Sequence, residues 1–246
     1  MSASALSRQP LREKLIALHG RTFLVDPSGA LYWPDEQMLV VADLHLEKGS
    51  AYAARRVFLP PYDTTSTLAA LGAVIARLIP KRVVALGDSF HDCLGAGRMP
   101  AHDAQALRAL QAGRDWLWIA GNHDPVAPGL EGDHAQDLTL GPIHFRHEPR
   151  AGVQEDTSAG EIAGHLHPVA RVAGRSGVLR RRCFVSDTKR LILPAFGAYT
   201  GGLNIRDAAF AALFGPREVQ AHMLGRDAVY TVARKQCLAE APGLGR

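Results

Sequence analysis

The sequence predicts an α/β protein, and three observations carry that prediction. Short apolar runs at Met38 to Ala42, Arg82 to Leu86 and Asp115 to Ala120 read as buried strands. Each opens at its carboxyl end into a polar cluster, DLHLEKG, GDSFHD and GNHD in turn. Helix-like runs at Thr64 to Leu78 and Asp103 to Gln111 lie between them, and strand, polar loop and helix in succession argue for parallel central strands.

Taken in order, the residues before Arg21 read as a polar lead followed by a short helix from Leu11 to Leu18. TFLVDPSGALYW then carries two apolar runs broken by Asp26-Pro27-Ser28-Gly29, the signature of a hairpin turn. Beyond the α/β core the chain is richer in strands: Pro142 to Arg146, Gly160 to Gly164, Cys183 to Ser186, Leu191 to Ala195 and Ala228 to Ala233. A second sheet packed on the first is expected. Residues 1–246 are read as a single domain, with 1–20 as an N-terminal extension and 239–246 as a flexible tail; Glu148 to Ser158 is the other candidate for mobility.

Composition narrows the class. A chain of 246 residues, 47% hydrophobic and 21% charged, can bury a substantial core and is neither disordered nor fibrous in character. Its longest aliphatic stretch, Met38 to Ala42, falls far short of the roughly 18 apolar residues that cross a bilayer, so no membrane association is expected. The first twenty residues lack an apolar block of signal-peptide length, which predicts a cytoplasmic protein. Cys93, Cys183 and Cys237 are widely separated and form no CxxC pair, arguing against both a disulfide framework and a thiolate zinc site. The net charge is +4, and only five of the 28 Lys and Arg residues are Lys. An Arg excess suits phosphate-bearing partners, although a GC-rich genome produces the same excess.

Histidine is the most informative residue type. Of eleven, seven fall in the polar clusters: His45, His91, His123, His144, His147, His165 and His167. Imidazoles mixed with the hard oxygens of Asp43, Asp88 and Asn122 suit first-row divalent ions. In an extended segment residues two apart share a side, so Asp43 with His45, and His165 with His167, can each converge on one point. Gly87, Gly121 and Gly164 each immediately precede a candidate ligand, where a tight turn or a close approach is needed. Asp43 or Asn122 taken alone could equally cap a turn or a helix, and His144 competes with His147. Asp92 and Asp124 could orient imidazoles or cap surface turns. His19, His102, His134 and His222 fall outside every cluster. Trp33, Trp116 and Trp118 read as packing residues. The basic run Arg175, Arg180, Arg181, Arg182, Lys189 and Arg190 could track a nucleic-acid backbone or be a solvated face.

In their order along the chain, DLH, GDSFHD, GNHD, an isolated His and GHLHP resemble the five motifs of the calcineurin-like metallophosphoesterase superfamily. Within it, ALYWP, VVADLHLEKG, LGDSFHD and GEIAGHLHP resemble most the bacterial ligase-associated DNA-damage-response phosphoesterases. The resemblance implies a four-layer α+β arrangement of two mixed sheets flanked by helices. It implies that Asp43, His45, Asp88 and His167 hold one metal, and that Asp88, Asn122, His147 and His165 hold a second, with Asp88 bridging. His123 matches the superfamily's catalytic imidazole. His91 stands where many of these phosphatases have an acid, and GDSFH resembles the second motif of double-strand-break repair nucleases. The implied function is phosphodiester hydrolysis in nucleic acid, DNA or RNA, as a DNA-repair endonuclease linked to a DNA ligase and helicase. The implied cofactors are two divalent ions, Mn²⁺ first and Fe²⁺ or Zn²⁺ as alternatives, and a metal-bridging hydroxide is the implied nucleophile. A small-molecule phosphohydrolase is the competing function. A non-catalytic scaffold of the same fold would be expected to lose part of this residue set.

Overall fold

The computed structural model describes residues 14–125, 130–152, 159–175 and 177–240. Seven strands form the first sheet in sequence order: β1 (Lys14–Leu18), β2 (Arg21–Val25), β3 (Leu31–Trp33), β4 (Met38–Val41), β5 (Arg82–Leu86), β6 (Asp115–Ile119) and β7 (Asp133–Ala135). From β4 to β7 the pairing is parallel, and the crossovers carry α1 (Lys48–Ala54), α2 (Asp63–Leu78), α3 (Gly95–Arg98) and α4 (Ala101–Gln111).

The second sheet contains β8 (Asp137–Leu140), β9 (Ile143–Arg146), β10 (Gly160–Ala163), β11 (Pro168–Gly174), β12 (Gly177–Ser186), β13 (Arg190–Ile192), β14 (Leu203–Asn204), β15 (Gln220–Leu224) and β16 (Val229–Ala233). Its path is β14-β11-β12-β13-β10-β9-β8, with β15 on the far half of β12 and β16 beside β15. α5 (Ala208–Phe214) covers its outer face through Phe210, Leu213 and Phe214.

The apolar continuity of β4 and β5 follows from burial on both faces. Met38, Val40 and Val84 point into the layer between the sheets, where they meet Phe145, Ile162 and Leu191. Leu39, Val41, Val83 and Ala85 point the other way, against Leu68, Leu71 and Val74 of α2 and Leu107 of α4. The result is helix, sheet, sheet, helix, the α/β fold of two mixed sheets expected from the sequence. Trp33, Trp116 and Trp118 are all buried in these cores, as packing residues should be. Among the described residues no helix is long and apolar enough to cross a membrane.

Two local expectations are corrected. Lys14–Leu18 is a strand rather than a helix; residues 11–13 lie outside the described residues. Ile16 and Leu18 alternate inward while Leu15 is exposed, and His19 and Gly20, both at positive φ, close a two-residue hairpin onto β2. Consecutive positive φ values give the tight turn whose twist matches paired strands, so His-Gly here does the work more often given to Asn-Gly. The second correction concerns α1, a short helix that follows the Asp43 to Glu47 segment after β4 and that the LEKG sequence did not announce. The Asp26–Gly29 hairpin turn is present, with Ser28 N donating to Asp26 Oδ1 at 2.9 Å.

Candidate metal centre

In-register parallel strands bring Asp43, Asp88 and Asn122 to one edge, because each lies just past the carboxyl end of β4, β5 or β6. The second sheet delivers to the same edge. β9 and β10 are parallel with Ala163 opposite Arg146, so His147 and His165 emerge side by side, and Gly164 N donates to His147 O at 2.9 Å. The two sheets are stitched together there by Phe196 N to Ala42 O at 2.8 Å and Gly197 N to Asp43 O at 3.1 Å.

The backbone at this edge is not extended. Asp43, His45, Asp88, His165 and His167 all have φ between 43° and 68°, the left-handed region that costs a non-glycine residue of order 1 kcal/mol or more. The i and i+2 partners therefore converge, but by left-handed residues alternating with ordinary ones, not by the pleat of a strand. Strain concentrated on these positions is held by surrounding hydrogen bonds: His45 N to Asp88 O at 2.9 Å and Leu46 N to Ser89 O at 2.8 Å. Gly87 and Gly121 meet the expectation of close approach. A Cβ on Gly87 would lie 2.5 Å from the His147 ring, and one on Gly121 would collide with Asp88.

Two groups of side chains result, Asp43 with His45 and His167, and Asp88 with His147 and His165; within each, the donor atoms lie within 4.8 Å of one another. In the first, His167 Nε2 is 3.2 Å from Asp43 Oδ1 and 3.3 Å from His45 Nε2. In the second, His147 Nε2 is 3.3 Å from Asp88 Oδ2, 2.9 Å from Asn122 Oδ1 and 3.2 Å from His165 Nδ1. Asp88 Oδ2 also lies 3.8 Å from His45 Nε2, between the groups, while Asp88 Oδ1 accepts from His123 N at 2.9 Å.

The chemistry of this donor set fits divalent cations. His147 Nδ1 donates to Leu86 O at 3.0 Å, so in the neutral ring Nε2 carries a lone pair aimed at the acceptors Asn122 Oδ1 and Asp88 Oδ2. A proton or a metal ion between them reconciles them. Asp43 and Asp88 are buried, and among the described residues neither pairs with a Lys or Arg. Burial opposes charge on His147, yet Asp88 and Asp43 outweigh it and lift its pKa to about 9, so the centre takes up positive charge even as a proton. Burial together with neighbouring His167 pushes His45 down to about 3, keeping it neutral as a ligand imidazole must be.

His123 is half exposed at the mouth. Its Nδ1 donates to the His91 carbonyl at 2.8 Å, which leaves Nε2 facing inward, 3.9 Å from Asp88 Oδ2. The His91 ring stacks on it at 5.3 Å and lies tilted against the Tyr52 ring at 5.4 Å. Burial, with Lys48 adding repulsion, lowers the His91 pKa to about 4. His45, His91 and His123 form a third close group.

Of the two candidates, His147, just past β9, reaches the centre and His144, within it, does not; His144 Nδ1 bonds instead with Thr139 Oγ1 at 2.7 Å. Neither Asp92 nor Asp124 orients an imidazole. Asp92 takes Leu94 N and both of its oxygens pair with Arg98 at 2.9 Å. Asp124 accepts Phe90 N at 2.8 Å, and burial raises its pKa to about 7. The basic run is not a continuous track: Arg175, Arg180 and Arg181 are exposed, but Arg190 is buried on Glu161 and Arg182 donates inward to the Ala195 and Phe196 carbonyls. Sequence reasoning missed the Leu86 carbonyl, Tyr52 and Lys48. A carbonyl leaves no trace in a sequence, and the two side chains needed α1 to be seen.

No protein-family model matches the chain, and no curated protein matches it significantly. Solved structures do. A nuclease MPE from Pseudomonas putida is 27% identical with a TM-score of 0.69, over 90% of this chain and all of that one. Yfce, a phosphoesterase from E. coli, is 15% identical with a TM-score of 0.37, over 80% of this chain and 98% of its own. Vps29 from Entamoeba histolytica, in a complex with zinc, is 14% identical with a TM-score of 0.31 over the same shares. With the motifs converged on one edge of the two sheets and the fold shared along its length with the first of these structures, the chain resembles the calcineurin-like metallophosphoesterases in fold and motif order, and the likeness to a nuclease together with the acid and imidazole groups supports a metal-dependent phosphoesterase.

Proposed function

We propose that the protein is a dinuclear phosphodiesterase that cleaves nucleic acid. The observation that carries this reading is the pair of acid and imidazole groups flanking Asp88, with His123 beside them. In it, Asp43, His45, Asp88 and His167 hold one ion, Asp88, Asn122, His147 and His165 the other, and Mn²⁺ is the ion. Two such ions, when bound, polarise a phosphoryl oxygen and acidify water, which is what in-line displacement at phosphorus needs.

The chain's own residues do the rest. His123, fixed through Nδ1 by the His91 carbonyl, holds its Nε2 toward the centre, where it protonates the departing oxygen. His91 stacks on that ring and limits its rotation, acting as a positioning group. The likeness to a structure described as a nuclease supports a polymeric substrate over a mononucleotide. The finer assignment, a cytoplasmic DNA-repair endonuclease linked to a DNA ligase and helicase, rests on the motif resemblance alone.

The test is to offer Mn²⁺-loaded protein plasmid DNA, single-stranded DNA, RNA, nucleotides and an aryl phosphodiester. Cleavage of a nucleic acid and of the aryl diester is expected. Hydrolysis of nucleotides with every nucleic acid left intact would contradict the proposal.

A further inference from the structure

The segment Arg55 to Tyr62, RRVFLPPY, is an arc between α1 and α2 whose Tyr62 end is pinned close to the metal centre. Glu47 N donates to Thr64 Oγ1 at 2.8 Å, Thr64 Oγ1 donates to Glu47 Oε1 at 2.9 Å, and Gly49 N donates to Asp63 Oδ2 at 3.0 Å. The starts of α1 and α2 are thus clamped together two to four residues beyond His45. On the inner side of the arc, Val57 N donates to Tyr52 O at 3.0 Å, and the Tyr52 ring stands 5.4 Å from His91. The arc is therefore held at the mouth of the centre.

What it displays there is unusual for a surface loop. Phe58 is 83% exposed, Tyr62 64% and Val57 49%, although a large apolar side chain in water gains nothing from folding. Pro60 and Pro61 stiffen the chain behind Phe58, and Arg56 sits at φ 60°, a strained conformation for a non-glycine residue. Arg55 and Arg56 are both exposed, and among the described residues neither makes an ion pair. Lys48, whose ammonium donates to the Tyr199 carbonyl at 3.1 Å and lies 5.8 Å from the Tyr52 ring, carries the positive charge inward toward His91.

Exposed aromatic faces beside unpaired guanidinium groups, rigidly presented, are the ingredients of a site for unpaired nucleotides. Bases stack on the rings and the Arg forks take the phosphates. Resting on the function proposed above, we infer that the arc Arg55 to Tyr62 is a stacking platform for the unpaired nucleotides of a strand whose reacting phosphate lies at the centre. Phe58 is its main base contact, and Arg55 and Arg56 are its phosphate contacts. A duplex offers no base face to Phe58, so the arc favours single-stranded or frayed substrate.

The test compares wild type with Phe58→Ala, Phe58→Trp and the double variant Arg55→Ala/Arg56→Ala on a single-stranded oligonucleotide, a blunt duplex and an aryl phosphodiester. Phe58→Ala should lower kcat/KM for the oligonucleotide about tenfold through KM. Phe58→Trp should retain it, and the aryl diester should be unaffected in all three variants. The double variant should weaken oligonucleotide binding and flatten its salt dependence. Unchanged oligonucleotide kinetics in Phe58→Ala, or an equal loss on the aryl diester, would overturn the inference while leaving the proposed function standing. Failure of wild type to cleave or bind any nucleic acid, with the aryl diester still turned over, would overturn both.

Discussion

Two buried ionic centres lie at opposite ends of β10, and they are built on different principles. At the amino end, Glu161 meets Arg190 at 2.5 Å and accepts Arg150 N at 2.9 Å, while Arg190 donates to the Leu213 and Arg150 carbonyls. Each charge finds its opposite within the chain. At the carboxyl end, His165 joins Asp43, Asp88 and the other imidazoles, where carboxylates and nitrogen lone pairs face one another. The first centre satisfies itself, as a structural ion pair must. The second collects acceptors and spends backbone strain doing so, an arrangement suited to holding a cation.

Substitutions can break either centre separately. Asp88→Ala removes the carboxylate shared between the two groups, and activity on an aryl phosphodiester should fall by at least about 10³, the scale of losing several kcal/mol of charge stabilisation. Glu161→Ala leaves Arg190 buried without its partner, so thermal or urea unfolding should show a loss of about 3–5 kcal/mol. The folded fraction of that variant should keep its full metal content. If Glu161→Ala instead stripped metal without lowering stability, the contrast between the two centres would fail.

His123→Ala should reduce turnover about 10²-fold with metal content unchanged, since no ligand is removed. A third buried polar group sharpens the comparison. His222, remote from the centre, bonds to Ser186 Oγ at 2.8 Å and Thr231 Oγ1 at 2.9 Å, and burial lowers its pKa to about 4. A histidine held neutral in the fold contributes stability that is complete above its unfolded pKa near 6.5 and is lost as pH falls toward 4. Acidification across that window should cost about 3 kcal/mol from this residue, and His222→Gln should remove that part of the pH dependence. For His147 the sign is opposite. Its proton, held up to about pH 9, competes with metal, so Mn²⁺ affinity should rise as pH is raised from 6 to 9, by up to about tenfold per unit.

Much of this was legible in the sequence, for identifiable reasons. Continuous apolar runs such as MLVV and RVVAL could only be strands covered on both faces, and Asp43, Asp88 and Asn122 follow them directly. His147 over His144 was not decidable from spacing; the parallel register of β9 with β10 decides which one reaches the edge. Lys14–Leu18 was misread because KLIAL fits a helical and an alternating pattern equally, and the His19-Gly20 turn that selects the strand depends on backbone angles. The basic run failed as a track because Arg190 and Arg182 spend their donors on the interior, which no charge count reveals.

The most direct measurement is the metal content of protein dialysed against Mn²⁺ and freed of loosely held ion, read by elemental analysis beside Asp88→Ala and Glu161→Ala. Two ions per chain in wild type and Glu161→Ala, with fewer than two in Asp88→Ala, is the predicted result. Folded wild-type protein that retains none would contradict the account.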